Sequence, residues 1–534
     1  MHKQTGEEML MKICVHNIKC DIDNTGDRVI DLAAKKAGIS KDSVLTWRLL
    51  KKSIDARDKT DIKFVYSALL EIPRGIRFKN HKDVKVYLEP TVSELQIGNV
   101  KLQDRPVIIG SGPCGLFASL LLARYGFCPI LIEKGGSIEE RTAKVKHYWD
   151  TDELDENCNV QFGEGGAGTF SDGKLTTGIT DPWCDFVLKQ FVQYGAPEEI
   201  MIDAKPHIGT DRLRETVVNI RNDIIRMGGT VLFNTQMQDV SFHNGSVQKI
   251  TTNDAVIPCE VLVLALGHSA RETFQMLLSK GVPMIQKPMS VGVRVEHHQS
   301  MINEARYGSF ASKLPPADYK LSSKVNGRGV YSFCMCPGGV VVGAASEKNT
   351  IVTNGMSYYA RDLKNANAAL VVSVGPADYP SEHPLAGVEY QRMLEQAAFI
   401  AGSGKAPAQR IKDFFEGKPT CRFGSVIPSY TQGVTPGSME DCLPEYITDS
   451  LKEGIRSFSR QIQGFMADDA VLTGVETRTS SPIRMVRNSE YQCIGFSGLY
   501  PGGEGAGYAG GIMSAAVDGL RIAEKIIRKY SPCK

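Results

Sequence analysis

The segment Pro106-Val107-Ile108-Ile109-Gly110-Ser111-Gly112-Pro113-Cys114-Gly115 constrains this chain more than any other. A short apolar run leads into Gly110-x-Gly112-x-x-Gly115. A helical stretch follows at 116–125, and a second apolar run, 127–132, ends at Glu133. Three glycines alone say little, but between a strand and a helix they predict the opening βαβ unit of a doubly wound parallel sheet. Gly112 would let a pyrophosphate approach the backbone, and the helix N-terminus supplies free N–H groups for its charge. Gly110, Gly112, Pro113, Cys114 and Gly115 are therefore expected at a dinucleotide. Glu133, 18 residues beyond Gly115, is placed to hold ribose hydroxyls, with Lys134 beside it. Arg141 lies close enough in sequence to line the same ligand.

That motif does not choose between FAD and NAD; the end of the chain does. The run Gly498-Leu-Tyr-Pro-Gly-Gly-Glu504-Gly-Ala-Gly-Tyr-Ala-Gly510-Gly511-Ile512 follows an apolar segment and opens a helix. It resembles the second FAD fingerprint of two-dinucleotide-binding-domain flavoproteins, which implies Gly503, Glu504, Gly510, Gly511 and Ile512 at the flavin end. Residues 261–267 resemble another strand of those proteins and imply Ala265 and Gly267. The loop 162–175 resembles a flavin-lining loop and implies Gly165, Gly166, Ala167 and Gly168. This loop also holds Gly168-x4-Gly173-Lys174, but Leu175 stands where a Mg²⁺-binding hydroxyl is needed, so an ATPase is not indicated. No His or Cys stands in a context that suggests a covalent flavin.

A chain of 534 residues predicts two to four domains. The net charge of +2 gives no general bias toward nucleic acid or anionic membrane. No apolar stretch is long enough for a transmembrane helix, and the start lacks a signal-peptide core. The 13 cysteines are scattered, with no CxxC pair and no Cys/His cluster for a metal, which suits a reducing cytoplasm.

Residues 1–95 read as a small α+β domain, with strands at 10–15, 62–66 and 84–88 and a helix at 29–38. Its basic middle (Arg48, Lys51, Lys52, Arg57, Lys59, Lys63) is read first as a solvated face. Its other reading is a docking surface for RNA or an acidic partner. Residues 89–104 read as a linker. The FAD domain is expected to be discontinuous, 101–290 plus 465–534, with a β-rich substrate domain, 291–464, inserted. Further strands are expected at 230–234, 247–251, 261–266, 290–295, 340–343 and 493–496, and helices at 357–370, 386–401 and the tail to Lys529.

The segments Ser53-Ile-Asp-Ala-Arg57, the 162–175 loop, Ser290-Val-Gly-Val-Arg-Val-Glu-His297, Phe333-Cys-Met-Cys-Pro-Gly-Gly339, Glu476-Thr-Arg-Thr-Ser-Ser-Pro-Ile-Arg484 and 498–512 together resemble the bacterial FAD-dependent (NAD(FAD)-utilising) dehydrogenase family. That group is distantly similar to thiazole-synthase-like flavoproteins. The resemblance implies a glutathione-reductase-type, Rossmann-like α/β fold and non-covalent FAD.

The chemistry expected is hydride transfer between flavin and a small organic substrate. No second strand–GxGxxG–helix unit exists, so NAD(P)H, where used, would bind transiently in the substrate cleft. Arg478, Arg484, Arg294 and His268 are the candidates to face the reacting atoms, with His297 behind them. A cation near the flavin would stabilise its reduced anion. Cys334-x-Cys336 is read as a pair of small buried side chains before a redox dithiol, because a disulfide at that spacing is strained. The oligomeric state is left open. The rival readings are a flavoprotein acting on RNA through the basic N-terminal region and a non-catalytic FAD-binding protein.

Overall fold

The computed structural model describes residues 10–23, 26–89 and 94–533. At its centre is a five-stranded parallel sheet in the order Leu499–Pro501, Leu262–Leu264, Val107–Ile109, Ile130–Ile132, Thr230–Leu232. The three inner strands are buried along nearly their whole length, which is why they read as unbroken apolar runs. The helix Pro113–Arg124 buries ten residues around its whole circumference, between this sheet and the long C-terminal helix Ile512–Lys529. Proline at its first position suits a helix start, where the missing N–H has no partner to lose.

A seven-stranded sheet forms the second body. Its order is Ser322–Val325, Arg328–Cys336, Asn365–Val374, Met289–His298, Val471–Glu476, Ala406–Arg410, Val434–Pro436. Helices Ala386–Ala401 and Glu445–Ser459 pack on it. The strand Val471–Glu476 pairs antiparallel with Met289–His298, so the chain returns to the parallel sheet only after this strand.

The N-terminal region is a four-stranded sheet, Leu10–Asp21, Thr46–Asp55, Lys63–Pro73 and Val84–Val86, covered by the helix Asp27–Ala37. Its apolar core is continuous with that of the seven-stranded sheet. Its strand Thr46–Asp55 also exchanges two backbone hydrogen bonds through Lys52, which donates to Ile202 O (2.6 Å) and accepts from Ala204 N (2.8 Å). Within the basic stretch, Arg48 pairs with Glu89, Arg57 with Asp55, and Lys63 with Asp21 and Asp61.

Several elements differ from the expectation. Residues 357–370 hold a turn and the start of the strand Asn365–Val374, not a helix. The alanines of Asn365-Ala-Asn-Ala-Ala mimic a helix, but Val371, Val372 and Val374 are β-branched, and both faces of this central strand are covered. The strand expected at 493–496 lies instead at Leu499–Pro501, because Gly495 (φ 83°) and Gly498 (φ 79°) turn the intervening chain. Of the expected linker, residues 90–93 lie outside the described residues. Beyond them Leu95 and Leu102 are buried, and Val100–Lys101 pairs with Tyr530–Ser531. Among the described residues no helix is long and apolar enough to cross a membrane.

Candidate functional site

The residues just past the C-terminal ends of three adjacent parallel strands open into one cavity of about 550 Å³. Ile109-Gly110 follows the first strand, Ala265-Leu266-Gly267 the second and Gly503-Glu504 the third. This is the crevice of an open α/β sheet where the strand order reverses, and that geometry fits the expected dinucleotide position. The opposite wall comes from the seven-stranded sheet, through Ser332 to Cys336 and Glu476, from Asn354 and Gly355 of the two-stranded ribbon Val340–Gly343/Thr353–Met356, and from Thr479.

The glycine loop divides into two kinds of position. Gly110 has φ 102°, and a Cβ there would meet Ala265 O at 2.2 Å; a Cβ on Gly115 would come 1.8 Å from Gly110 O. These two close the turn. Gly112, Gly267, Gly510 and Gly511 instead line the cavity with nothing closer than 3.8 Å to a built Cβ. Bare backbone thus faces the cavity from three segments, a cradle that side chains would fill. The helix Ile512–Lys529 starts there with no side-chain cap on its first N–H groups. The residues present fit a phosphate-bearing dinucleotide such as FAD.

The carboxylate of Glu133 lines the cavity and is almost fully buried. One oxygen accepts from Ser111 N (2.9 Å) and Ser111 Oγ (2.8 Å), and the other from Gly135 N and Gly163 N (both 2.9 Å). Glu133 therefore ties the glycine turn to the 162–175 loop. Lys134 lies 4.5 Å over the Phe162 ring in the same wall.

Arg141 does not reach the cavity. Fully buried, it donates to the carbonyls of Asn159, Val160, Gly163, Glu164 and Gly166. It holds the 159–166 segment in shape from behind, and so presents Gly166, Ala167 and Gly168 to the cavity while Gly165 faces away.

The expected reacting residues separate in space. Arg478 and His268 line the cavity. Arg478 is gripped by Glu395 (Nε and Nη2, both 3.0 Å) and donates Nη1 to Ser269 Oγ at 3.0 Å. Ser269 Oγ is 2.9 Å from His268 Nδ1. Burial, with Arg478 and Arg271 nearby, pushes His268 down to about 3, so its imidazole is neutral at physiological pH. Arg294 stands one layer behind the wall. It pairs with Glu476 through two bonds of 2.9 Å and donates to Cys334 O (2.9 Å), Asn367 and Asn354. Arg484 lies outside the main cavity and lines a neighbouring one. His297 is buried against Phe465 O at 2.7 Å, away from the cavity.

Sequence reasoning missed the charged rim opposite the glycine cradle. Arg361 holds Asp172 (Nε to Oδ1, 2.9 Å), Lys174 lies 3.6 Å from Asp172, and Lys205 pairs with Asp318 at 2.6 Å. Lys174 and Asp172 sit in the 162–175 loop already singled out. Lys205, Asp318 and Arg361 are in segments with no local signal, brought together only by the fold. Cys334 lines the cavity at a bulge in its strand and is exposed there, which corrects the expectation of two buried side chains; only Cys336 of the pair is buried. Among the described residues no group of three His, Cys, Asp or Glu is placed to hold a metal ion.

Residues 288–479 match the family model described as "FAD-dependent protein, C-terminal domain-like", and residues 12–71 match a domain of unknown function. An uncharacterized protein of Clostridium beijerinckii is 46% identical over 529 residues, covering 97% of this chain and 99% of that one. Among solved structures, glycine oxidase from Geobacillus kaustophilus matches at 11% identity and TM-score 0.35, over 81% of this chain and 96% of that one. L-amino acid deaminase from Proteus vulgaris matches at 12% identity and TM-score 0.33, over 82% and 97%.

Proposed function

The chain belongs to the family of the Clostridium beijerinckii protein and contains a FAD-dependent C-terminal domain-like region; from that premise we propose that it is an FAD-dependent oxidoreductase acting on a small organic substrate. The observation that carries the reading is the bare-backbone cradle at Gly112, Gly267, Gly510 and Gly511, at the C-terminal ends of parallel strands, facing a polar wall across one cavity.

When bound, FAD would supply hydride chemistry that no side chain here can perform. The protein's part is positional and electrostatic. The glycine turn and the first turn of Pro113–Arg124 would hold the pyrophosphate, with Glu133 beside the ribose. The Glu504 carboxyl faces the cavity with no hydrogen-bond partner among the described residues, and burial pushes it up to about 7, offset by Lys287. Such a carboxyl would hold a ligand hydroxyl. Arg478, fixed by Glu395, keeps a permanent positive charge at the cavity wall, where developing negative charge would be stabilised. The second ring nitrogen of neutral His268 would make one hydrogen bond to a substrate polar group, as donor when Ser269 Oγ donates to Nδ1 and as acceptor in the other tautomer. The substrate would lie between these groups and the Lys174/Arg361 rim.

The test starts with the absorption spectrum of the purified protein, then anaerobic addition of NADH and, separately, NADPH. Flavin bands near 375 and 450 nm (about where oxidised flavins absorb) are expected, and bleaching by either nucleotide would identify the donor. Gly112→Val should abolish flavin retention while leaving the fold intact, since the nearest atom to its Cβ is 3.8 Å away. Full yellow occupancy in that variant would overturn the site.

A further inference from the structure

A second cavity, about 430 Å³, adjoins the first and shares Thr176, Gly510 and Gly511 with it. Two cations line it, Lys287 and Arg484. Their placement follows from a two-stranded ribbon in which Met284–Gln286 pairs antiparallel with Ile483–Met485. Ile285 stands opposite Arg484, and Lys287 follows directly. Among the described residues neither cation has a carboxylate within ion-pairing distance. Lys287 has no side-chain hydrogen bond, and Arg484 makes only a 3.4 Å contact from Nε to Gly507 O and lies 5.3 Å from the Tyr508 ring centre. Most basic side chains lining the main cavity are paired, as Arg361 is with Asp172 and Lys205 with Asp318.

Two unmatched cations on one concave wall repel each other, and an anion between them removes that cost. Among the described residues the acid acting on Lys287 is Glu504, which faces the main cavity. Gly510 and Gly511 present bare backbone to both cavities, since a Cβ at either would meet nothing within 4 Å, and Thr176 borders both beside them. An elongated ligand therefore has room to lie across Gly510 and Gly511, with one end in each cavity.

We propose that the Lys287/Arg484 cavity binds the phosphate of a ligand whose other end enters the main cavity. Two sources share that chemistry: a reduced pyridine nucleotide and a phosphorylated organic substrate. The assignment of the main cavity rests on the FAD reading; the anion site does not.

The experiment is calorimetric titration of the full-length, flavin-loaded protein with inorganic pyrophosphate. Wild-type protein should bind it, and Lys287→Gln/Arg484→Gln should weaken binding at least tenfold with the flavin spectrum unchanged. The charge-preserving Lys287→Arg/Arg484→Lys should keep most of the affinity. Competition by NADH or NADPH assigns the pyridine nucleotide; competition by glycerol phosphate alone assigns a phosphorylated substrate. No pyrophosphate binding to wild type at 10 mM (on the order of the weakest specific binding), or equal binding to the Gln variant, overturns the proposal. Should the purified protein bind no FAD yet show Lys287- and Arg484-dependent pyrophosphate binding, the flavin reading fails and this one stands.

Discussion

Replacing Glu395 with glutamine should destabilise the protein by breaking a buried ion cluster beside the site. Glu395 is fully buried and accepts five hydrogen bonds: two from Arg271 (3.0 and 2.8 Å), two from Arg478 (both 3.0 Å) and one from Thr477 Oγ1 (2.8 Å). The two guanidiniums hold its carboxyl down at about 2 against an ordinary 4.5. At about 1.4 kcal/mol per pH unit, its charged form is favoured by about 3 kcal/mol. Removing one partner of a buried ion pair costs about 3–5 kcal/mol, so the two routes agree. Arg271 keeps Glu347 at 2.9 Å, which cushions the loss, whereas Arg478 keeps no acid. With an unfolding entropy of about 2.1 cal/mol/K per residue over the whole chain, the Glu395→Gln melting temperature should fall by about 3–5 °C if unfolding is cooperative. The assay is thermal melting followed by circular dichroism from pH 3 to pH 8. Because the folded pKa is depressed, the stabilisation is present above about 4.5 and is lost as pH falls toward 2. The gap between wild type and variant should therefore be constant from pH 5 to 8 and narrow below 4.5. A Glu395→Gln protein within 1 °C of wild type at pH 7 would refute the claim that this ion cluster is held by mutual charge.

Glu504 carries the opposite sign. Its folded pKa of about 7 lies above the ordinary carboxyl value, so the flavin-free protein should lose stability as pH rises from about 4.5 through 7. Flavin-free Glu504→Gln should lose that slope and melt higher than wild type at pH 8, by an amount worth about 1–3 kcal/mol; identical pH profiles would count against it. Gly115→Ala forces a methyl to 1.8 Å from Gly110 O and should cost several kcal/mol, about as much as severe overpacking, read as loss of soluble, flavin-binding protein. Glu347→Gln, which weakens a partly exposed pair with Arg392 and a second one with buried Arg271, should cost about 1–3 kcal/mol in the same melting assay.

The parallel sheet, its glycine turn and the C-terminal glycine element were legible from residue order because their constraints are local. A tight turn between strand and helix tolerates few residues, and strands buried on both faces must be apolar throughout. The helix Ala386–Ala401 and the strand Val340–Gly343 were legible from their local apolar patterning. The strand Asn365–Val374 was not, because its alanine-rich start has no intrinsic β preference and only its place at the centre of a sheet decides it. Tertiary structure alone decided which charges do what. It turned Arg141 into a brace behind the loop and put Arg294 one layer behind the wall. It locked Arg478 to Glu395 across 83 positions of chain and left Lys287 and Arg484 together without an acid. A charge's role depends on its burial and on the partner beside it, and long-range pairing sets both. Sequence spacing marks the backbone that binds; only the folded chain shows which side chains remain free to act.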